Sequence, residues 1–566
     1  MNLFPRSLPL AIFLFSVCPW LWSSAAPFPS VTIGQNFTGI SYGSSTTNSA
    51  SLPPDSNGEI GPSDYVEFIN GIFAVYNKTN GHRRSLKTDL DFWAGAGVGI
   101  DVSDGTSGVS DPRIIYDPAS QRWFASQVDF DYQVDFDTLT ITLGTNDFLL
   151  AVSVTADPNG EWIGTSFPSD PDGLYFADFP TLGVDSQGVY LAGDMFDSNG
   201  DPFTATDLGC ALVSFPKADL LASPPVFSTR TWHGVRSFAD RGQIYQPATC
   251  RDGSAVGKIL AAGDIGNDSN FHSNVVSFSV QNVAGPGPAT LGPSTFATVP
   301  PYMVPYNAAL GAPIFTALQP DSTTTLQAND ARFCAKAYIV GGVIYGVHNS
   351  ESNGRIVIRW YRINAANGSL LEAGTIADPN LDLFYPSVAA NPGGTAVIAY
   401  NGSGLGTYVS CYAIVGQTTG GVTTFGSPVL LQSGLTNYHG GDEDTSGLGL
   451  GSPTSRWGDY STTSVDPSDA NRFWTIQMYP SDTNVWSTQI TELVTTPLPV
   501  LAIKQTGTNV TVSWPTGLND YQLQSATNLA SSITWSNVTQ IPQTNGSQAY
   551  VLLPRSTVRQ FFRLKK

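Results

Sequence analysis

Histidine, tyrosine, arginine and carboxylate side chains in the second half of the chain could carry acid–base chemistry. His348 is one of five histidines and follows a predicted strand at 344–347. A catalytic histidine is expected near a tyrosine, arginine or carboxylate. The candidate partners of His348 are Arg359, Tyr385, Tyr400, Arg456, Asp459 and Tyr460. The loop 456–460, which contains three of these residues, is the best candidate for a functional site. It precedes a predicted strand, so it would be presented to a ligand.

Two kinds of sugar chemistry are compatible with these residues. In a polysaccharide lyase, arginine neutralises a uronate carboxylate while histidine or tyrosine removes the C5 proton. In a glycoside hydrolase, two carboxylates act at a defined separation. The chain has 45 acidic residues, so the sequence does not select a pair. The simpler interpretation of His348 is a polar residue that is hydrogen-bonded within a strand turn.

Acidic loops raise the question of a metal ion. The loop 439–444, His-Gly-Gly-Asp-Glu-Asp, could bind Ca²⁺ through oxygen ligands or could be a solvated flexible loop. Asp55, Asn57 and Glu59 could ligate a cation, although turn capping is the favoured interpretation. No cysteines stand at C-x-x-C spacing, so a zinc site is not expected. The cofactor is therefore left open, with Ca²⁺ as the only candidate.

The elements that must position these residues are β-strands. Helical periodicity is nearly absent, and 56 glycines and 39 prolines separate short runs of β-branched and aromatic residues. Strand–turn–strand units recur about seven times up to residue 496, at roughly the size of a four-stranded propeller blade with loops. We therefore expect an all-β protein with a six- or seven-bladed β-propeller at 26–496, in preference to tandem sandwiches.

Residues 497–566 are expected to form a separate, small immunoglobulin-like β-sandwich. They alternate as about six short strands. They also hold six basic residues against one acidic residue, Asp520, whereas the whole chain has a net charge of −19. This difference in charge supports a domain boundary near residue 496.

The first 25 residues have the pattern of a signal peptide, with Arg6, an apolar run at 8–21 and small residues at 23–26. A secreted, periplasmic or cell-surface protein without a membrane span is expected, and the acidic charge argues against nucleic acid as a partner. Four cysteines would remain after cleavage. In an exported chain they predict two disulfides, with Cys210–Cys250 and Cys334–Cys411 as the preferred pairing of three.

Several motifs resemble a broad family of secreted bacterial proteins of uncharacterised function that are expected to be β-propellers. The matching stretches are 53–62, 111–123, 150–158, 178–180, 358–361, 384–387 and 456–460. The segment 155–162 also resembles the Asp-box turn of sialidase-like propellers, with its glycine one place late. The resemblance implies a glycan context. The chain departs from sialidases in lacking a recognisable arginine triad and a full Asp-box. The C-terminal part resembles modules of secreted environmental bacteria that end in an aromatic-Arg-Leu motif, for which attachment is the usual role.

Two functions follow as hypotheses. The first is a secreted propeller that binds, and in the stronger form cleaves, an extracellular polysaccharide as a lyase or glycosidase. The second is a non-catalytic adhesion or scaffold protein that uses the propeller for protein contacts. Neither hypothesis specifies the substrate, the linkage or the oligomeric state.

Overall fold

The computed structural model describes residues 29–103, 107–135, 140–197, 206–263, 271–305, 316–322, 324–440, 442–443, 454–496, 501–516, 518, 521–529, 533–545, 548–556 and 558–565. The expected signal peptide and Cys18 lie outside these residues. The described residues are almost entirely β-structure. The helices among them are short and span Asp89–Gly95, Lys217–Leu220 and Phe238–Arg241. None of the described helices has the length and apolar character needed to cross a bilayer.

Most of the described chain up to residue 496 folds into antiparallel sheets whose main path has four strands. We number these sheets along the chain and name the strands of each sheet in hydrogen-bonding order, starting with the innermost strand. Sheet 1 contains Gly58–Ile60, Asp64–Ile69, Ile72–Asn77 and Arg83–Thr88. Sheet 2 contains Ser107–Asp117, Arg122–Asp135, Asp147–Ser153 and Trp162–Pro168, with Thr140–Leu143 beside its second strand. Sheet 3 contains Tyr175–Val184, Gly188–Asp197, Asp207–Pro216 and Thr231–Trp232.

Sheets 4 and 5 are joined into one ten-stranded sheet by a single pairing, Met303 with Glu351. Sheet 4 contains Gln243–Pro247, Lys258–Ala262, Phe271–Gln281 and Thr295–Met303, with Thr290–Leu291 beside its third strand. Sheet 5 contains Tyr338–Val340, Val343–Ser352, Arg355–Asn364 and Leu370–Ile376, and Thr249–Cys250 pairs in parallel with its first strand.

Two further sheets complete this part of the molecule. Sheet 6 contains Asp382–Ala390, Thr395–Gly404, Thr407–Thr419 and Val422–Phe425, with Val429–Gln432 beside its third strand. Sheet 7 contains Thr462–Val465, Arg472–Asp482, Val485–Thr495 and, as its outermost strand, Val31–Ser41. A separate small sheet contains Thr316–Leu318, Thr325–Gln327, Thr454–Ser455 and Asp442–Glu443.

The first strands of the numbered sheets form a closed circuit. The first strand of sheet 1 packs against those of sheets 2 and 7, and the first strand of sheet 3 packs against those of sheets 2 and 4. The first strand of sheet 6 packs against those of sheets 5 and 7. Thr249–Cys250 links sheets 4 and 5 through its parallel pairing. The described sheets thus surround a common axis, around which the largest buried apolar cluster lies.

The residues after 500 form two further sheets. One contains Ala502–Thr506, Asn509–Pro515, Gln548–Pro554 and Gln543–Asn545, and the other contains Ser536–Asn537, Gln522–Ala526 and Phe561–Lys565. Val512, Trp514, Leu523 and Val551 belong to a small apolar core of their own between these strands. The domain boundary near residue 496 stays a prediction.

The predicted disulfides are wrong. Cys210, Cys250, Cys334 and Cys411, the cysteines within the described residues, are all buried free thiols. The thiols contact polar atoms of nearby residues instead of one another. The Cys210 Sγ atom lies 3.7 Å from an Asp194 oxygen. Cys411 Sγ lies 3.4 Å from the Met478 carbonyl oxygen. An even cysteine count predicts disulfides only where the fold brings two thiols together, and here small buried side chains serve as packing residues.

Candidate active site on the axis of the sheets

The chain bends sharply within or just before the first strands of several sheets. Residues with positive φ stand at these bends: Asp111 (63°), Phe179 (50°) and Tyr385 (48°) lie within first strands, and Asp55 (51°) lies just before one. Three of these residues, Asp111, Phe179 and Tyr385, are followed by proline, which has no N–H to donate to the ladder. The strand pairing accordingly skips residues at 110/113, 178/181 and 384/387. Such bulges redirect side chains, and here they turn polar groups toward the axis.

A cavity of about 570 Å³ lies where these bends converge. Its charged lining residues are Asp55, Asp111, Asp178, Asp459, Arg332 and Arg456. The rings of Phe130 and Phe179 also line the cavity and give it some aromatic surface. The site is therefore polar and has more acidic than basic side chains.

Arg456 and Asp459 form one wall of the cavity. Arg456 Nη2 lies 3.2 Å from Asp459 Oδ2, and Arg456 Nη1 donates to Gln327 Oε1 at 2.5 Å. The backbone N–H of Asp459 donates to Asp55 Oδ1 at 3.2 Å. Asn70 Nδ2 donates to Asp55 Oδ2 at 2.7 Å. Residues far apart in the sequence thereby hold the carboxyl groups of Asp55 and Asp459 beside the guanidinium of Arg456.

Asp111 is held by hydroxyl groups. Tyr460 donates its phenol hydrogen to Asp111 Oδ2. Ser110 Oγ donates to Asp111 Oδ1 at 2.8 Å. The backbone N–H of Asp111 donates to Asn70 Oδ1 at 2.9 Å. Asp111 is 7% exposed, so its carboxyl group is held in a defined orientation at the cavity wall.

Burial, reinforced by the crowding of carboxyl groups, raises the pKa values of Asp55, Asp178 and Asp459. Desolvation, followed by the charge of Asp111, raises the pKa of Asp178 to about 6. Desolvation and the charges of Asp111 and Asp459 hold the pKa of Asp55 well above its usual value. Desolvation also raises the pKa of Asp459, against the opposing effect of Arg456. Asp178 reaches the solvent that fills the cavity while protein surrounds it, so this carboxyl group can both meet a ligand and hold a proton.

A further pair of carboxyl groups lies behind Asp178. Asp194 is directly opposite Asp178 in the sheet and shares a hydrogen bond with Asp207. Desolvation and the charge of Asp207 hold the pKa of Asp194 well above its usual value. Arg332, which donates to both oxygens of Asp330 at 2.9 and 2.8 Å, opposes this accumulation of negative charge.

Four of the six predicted catalytic residues come together here. Arg456 and Asp459 line the cavity. The Tyr385 hydroxyl lies 3.3 Å from Asp459 Oδ1 and donates to the Trp457 carbonyl oxygen at 3.2 Å. Burial holds the phenol pKa values of Tyr385 and Tyr460 well above 10. Tyr460 therefore acts as a hydrogen-bond donor to a carboxyl group and Tyr385 as a donor to a carbonyl oxygen, and both are poorly suited to removing a proton.

His348 and Arg359 lie away from the cavity. His348 is fully buried in sheet 5, where its Nε2 is 2.8 Å from the Tyr361 hydroxyl and its ring stacks on that phenol at 5.4 Å. Burial lowers the pKa of His348 to about 3. Arg359 donates to Thr375 Oγ1 and to the Pro300 carbonyl oxygen, both at 2.8 Å. The simpler interpretation of His348 was a residue hydrogen-bonded within a strand turn, and the structure instead places it, hydrogen-bonded, in the middle of the strand Val343–Ser352.

The other candidate partner, Tyr400, also lies elsewhere. It is buried in sheet 6, where its ring stacks on that of Tyr412 at 6.0 Å.

The residues considered for a cation have other partners. His439 Nε2 lies 3.1 Å from Asp321 Oδ2, and residues 441 and 444 of its loop fall outside the described residues. Asn57 Oδ1 accepts from the Ile114 N–H, and Glu59 pairs with Arg251 and Lys336. Among the described residues, no group of three or more His, Cys, Asp or Glu side chains has an arrangement suited to a metal ion.

Sequence reasoning did not select Asp111, Asp178 and Arg332 as site residues. Asp111-Pro112 and Asp178-Phe179-Pro180 were noted only among the stretches that resemble the secreted propeller family. For Asp111 the signal that could have found it is Pro112: a proline inside an inner strand requires a bulge, and a bulge redirects the side chain of the residue before it. Asp178 and Arg332 carry no comparable local signal.

The segment 155–162 makes a local turn in which Trp162 Nε1 donates to the Pro158 carbonyl oxygen at 2.9 Å.

Comparison with known proteins gives distant structural likeness only. No family model and no curated protein matches the chain. A protein of unknown function from Dyadobacter fermentans has 9% identity and a TM-score of 0.34, covering 69% of this chain and 96% of its own. An exo-β-1,3-galactanase from Phanerochaete chrysosporium has 10% identity and a TM-score of 0.28, covering 81% and 99%. A Hadza microbial sialidase has 11% identity and a TM-score of 0.31, covering 75% and 73%. The galactanase and the sialidase are propeller-type folds. At this distance the likeness carries no functional argument.

Proposed function

We propose that the chain is an exported seven-bladed β-propeller that binds a saccharide in the axial cavity and hydrolyses a glycosidic bond. The numbered sheets are its blades, and the residues after 500 are an immunoglobulin-like module for attachment. The closed circuit of first strands supports the propeller, because propeller blades radiate from such a circuit. The predicted leader at 1–25 supports export.

The observation that carries the catalytic proposal is that Asp178 and Asp111 both line the cavity, where the charge of Asp111 adds to desolvation in raising the pKa of Asp178. Glycoside hydrolysis needs a carboxylic acid to protonate the departing oxygen and a second carboxylate to act at the sugar. Asp178, with a pKa raised to about 6, retains its proton in mildly acidic solution. Asp111 accepts hydrogen bonds from Tyr460 and Ser110, which fix the orientation of its carboxyl group. We assign Asp178 as the general acid and Asp111 as its carboxylate partner.

Binding would use the remaining lining residues. The ring of Phe130 offers an apolar surface for a sugar face, and Arg332 and Arg456 offer donors to hydroxyl oxygens. The excess of carboxyl groups favours neutral or basic sugars over uronates. A lyase mechanism is disfavoured, because His348 lies outside the cavity and the phenols of Tyr385 and Tyr460 hold their protons.

The test uses the full-length protein and a panel of neutral, basic and acidic polysaccharides. We expect release of new reducing ends from a neutral or amino-sugar polymer, without the absorbance near 235 nm of an unsaturated uronate. Asp178→Asn should lower kcat/KM by about 10²- to 10⁴-fold, as expected for loss of a general acid. Asp172→Asn, on the exposed loop before sheet 3, is the matched control and should be unchanged.

A non-catalytic saccharide-binding or adhesion protein is the alternative. It is favoured by the structural use of Asp55, which holds both Asn70 and the Asp459 backbone. Binding of a polysaccharide without release of reducing ends would support this alternative. No binding and no release by any member of the panel would contradict both functions.

A further inference from the structure

One face of the smaller C-terminal sheet carries aromatic, amide and basic side chains. Leu523 pairs with Leu564, and both belong to the apolar core of the residues after 500. Since side chains alternate between the two faces of a sheet, the neighbouring pair Gln524 and Arg563 points away from that core. Asn537 pairs with Gln524 from the third strand and therefore lies on the same side. We call this outer surface the Arg563 face.

The guanidinium of Arg563 is held in one orientation by its neighbours. Arg563 Nε donates to Gln524 Oε1 at 2.9 Å, and Gln524 Nε2 donates to Asn537 Oδ1 at 2.9 Å. The guanidinium carbon lies 4.4 Å from the centroid of the Trp535 ring. A guanidinium that is already oriented loses less entropy when it binds, and its N–H groups match the planar geometry of a carboxylate.

The positive charge on this face has no carboxylate side chain beside it within the module. Residues 497–566 contain six basic residues and one acidic residue, Asp520, which lies outside the described residues. Lys565 is exposed and follows Arg563 on the same side of the strand Phe561–Lys565, roughly 7 Å further along. Two cations thus stand side by side on an outer surface. Charge complementarity calls for an acidic partner.

The other side chains of the face suit a sugar polymer. Phe561 is half-buried two residues before Arg563, on the same side of the strand, and offers a ring to a sugar. The amides of Gln524 and Asn537 are groups that exchange hydrogen bonds with hydroxyls. Two cations among amides fit a ligand that is rich in hydroxyl groups and carries widely spaced charges.

Nucleic acid and anionic membranes fit this face less well. A nucleic acid strand carries a phosphate about every 3.4 Å, and its binding relies on many basic contacts. Anionic membranes recruit clusters of about four to eight lysines and arginines. The net charge of −19 on the whole chain also repels both partners.

We propose that the Arg563 face binds an acidic polysaccharide, with Arg563 and Lys565 paired to its carboxylate or sulfate groups and Phe561 against a sugar ring. This inference rests on the attachment role proposed for the module and names its ligand. It does not depend on hydrolysis in the axial cavity, where the excess of carboxyl groups disfavours acidic sugars. The two sites therefore take polymers of different charge.

Isothermal titration calorimetry of the full-length wild-type protein gives a test without any substitution. We expect binding to polygalacturonate that is at least about tenfold tighter than binding to the same polymer after methyl esterification, which removes the charge and keeps the sugar backbone. The affinity should fall as NaCl is added, because salt screens exposed charges. Equal affinity for the two polymers would overturn the proposal, as would no binding to polygalacturonate or to sulfated κ-carrageenan.

Substitution then locates the binding surface. Arg563→Gln should weaken binding to polygalacturonate by about tenfold, because a charge-assisted hydrogen bond is lost. Arg555→Gln is the matched control: it removes the same charge from an exposed position after the strand Gln548–Pro554 of the other C-terminal sheet. Its affinity should stay within about twofold of the wild type. An equal loss in both variants would show that net charge alone matters and would contradict a site at Arg563.

Other occupants give different results. Tighter binding to double-stranded DNA or to phosphatidylserine vesicles than to polygalacturonate would overturn the proposal. Oligomers that form in the wild type and not in Arg563→Gln, without polysaccharide binding, would assign the face to a second copy of the chain. Release of reducing ends is a separate readout: binding to polygalacturonate without hydrolysis of any sugar would support this inference and contradict catalysis in the axial cavity.

Discussion

The phenol of Tyr460 donates a hydrogen bond to the carboxylate of Asp111, a residue 349 positions earlier in the chain. The contact joins the segment entering sheet 7 to the first strand of sheet 2, the two sheets whose first strands both pack against that of sheet 1. Tyr460 is 2% exposed, so its hydroxyl has no ready substitute from solvent. The orientation of a proposed catalytic carboxylate therefore depends on a buried residue outside the cavity lining.

Tyr460→Phe should destabilise the protein by about 1–3 kcal/mol, because a buried carboxylate loses a hydrogen-bond donor. Urea denaturation followed by tryptophan fluorescence measures the change. Tyr408→Phe, at a side chain that is 37% exposed, is the matched control and should be close to neutral. A Tyr460→Phe midpoint equal to that of the wild type would show that water replaces the phenol without cost.

If the protein hydrolyses glycosides, kcat/KM should decline above about pH 6, where Asp178 loses its proton. The decline should approach tenfold per pH unit, since only the protonated form can donate. Asp178→Asn should keep most of its activity on aryl glycosides with a strongly acidic leaving group, which departs without protonation. Retention of the alkaline decline in Asp178→Asn would assign that decline to another group.

His348 should make the protein less stable as the pH falls. Its pKa is about 3 in the folded protein, and the ordinary value of about 6.5 applies to the unfolded chain. Between these values the unfolded state binds the proton preferentially, so stability declines by about 1.4 kcal/mol for each unit by which the pH falls.

The raised pKa of Asp178 acts in the opposite direction: its contribution to stability is present below about pH 4 and is lost as pH rises through 6.

The two effects are separated by comparing variants. His348→Gln keeps groups that can bond Tyr361 and the Asn349 carbonyl oxygen, and it removes the titration. The difference in unfolding free energy between wild type and variant should therefore change between pH 6.5 and pH 3.5. A constant difference for His348→Gln would contradict the expected linkage.

Alkylation under denaturing conditions, without a reductant, should modify Cys210, Cys250, Cys334 and Cys411. Burial raises the pKa of these thiols, so the native protein should react slowly. Mass spectrometry of the intact alkylated chain counts the labels, and prior reduction should add none. Labels that appear only after reduction would show that disulfides form in the protein.

The hairpins were predictable because each has a local signal. Gly71 adopts φ of 86° between Asp64–Ile69 and Ile72–Asn77, a turn for which glycine is suited. Asp466-Pro467 begins the turn between Thr462–Val465 and Arg472–Asp482. Alternation and turn residues act over a few positions, so one sequence is enough to find them.

The site was only partly predictable, because its contacts are between distant segments. The loop 456–460 was singled out, and the structure places Arg456 and Asp459 at the cavity. Their contact with Asp55 depends on how the sheets are arranged around the axis, which short-range patterns do not specify. His348 had the right chemistry for a catalyst, but its position in the middle of a strand directs it into the core.

The outermost strand of sheet 7 comes from the start of the described chain, where Phe37 pairs with Ile490 and Ser41 with Ser487. During synthesis, Val31–Ser41 has no partner until Val485–Thr495 has been made, so sheet 7 can gain its outermost strand only after nearly all of the other strands up to residue 496 exist. Closure over so long a loop is a late, entropically costly step. A nascent chain interrupted before residue 485 therefore retains two open strand edges, at which proteolysis and aggregation can begin. Only a chain synthesised beyond that point can cover them.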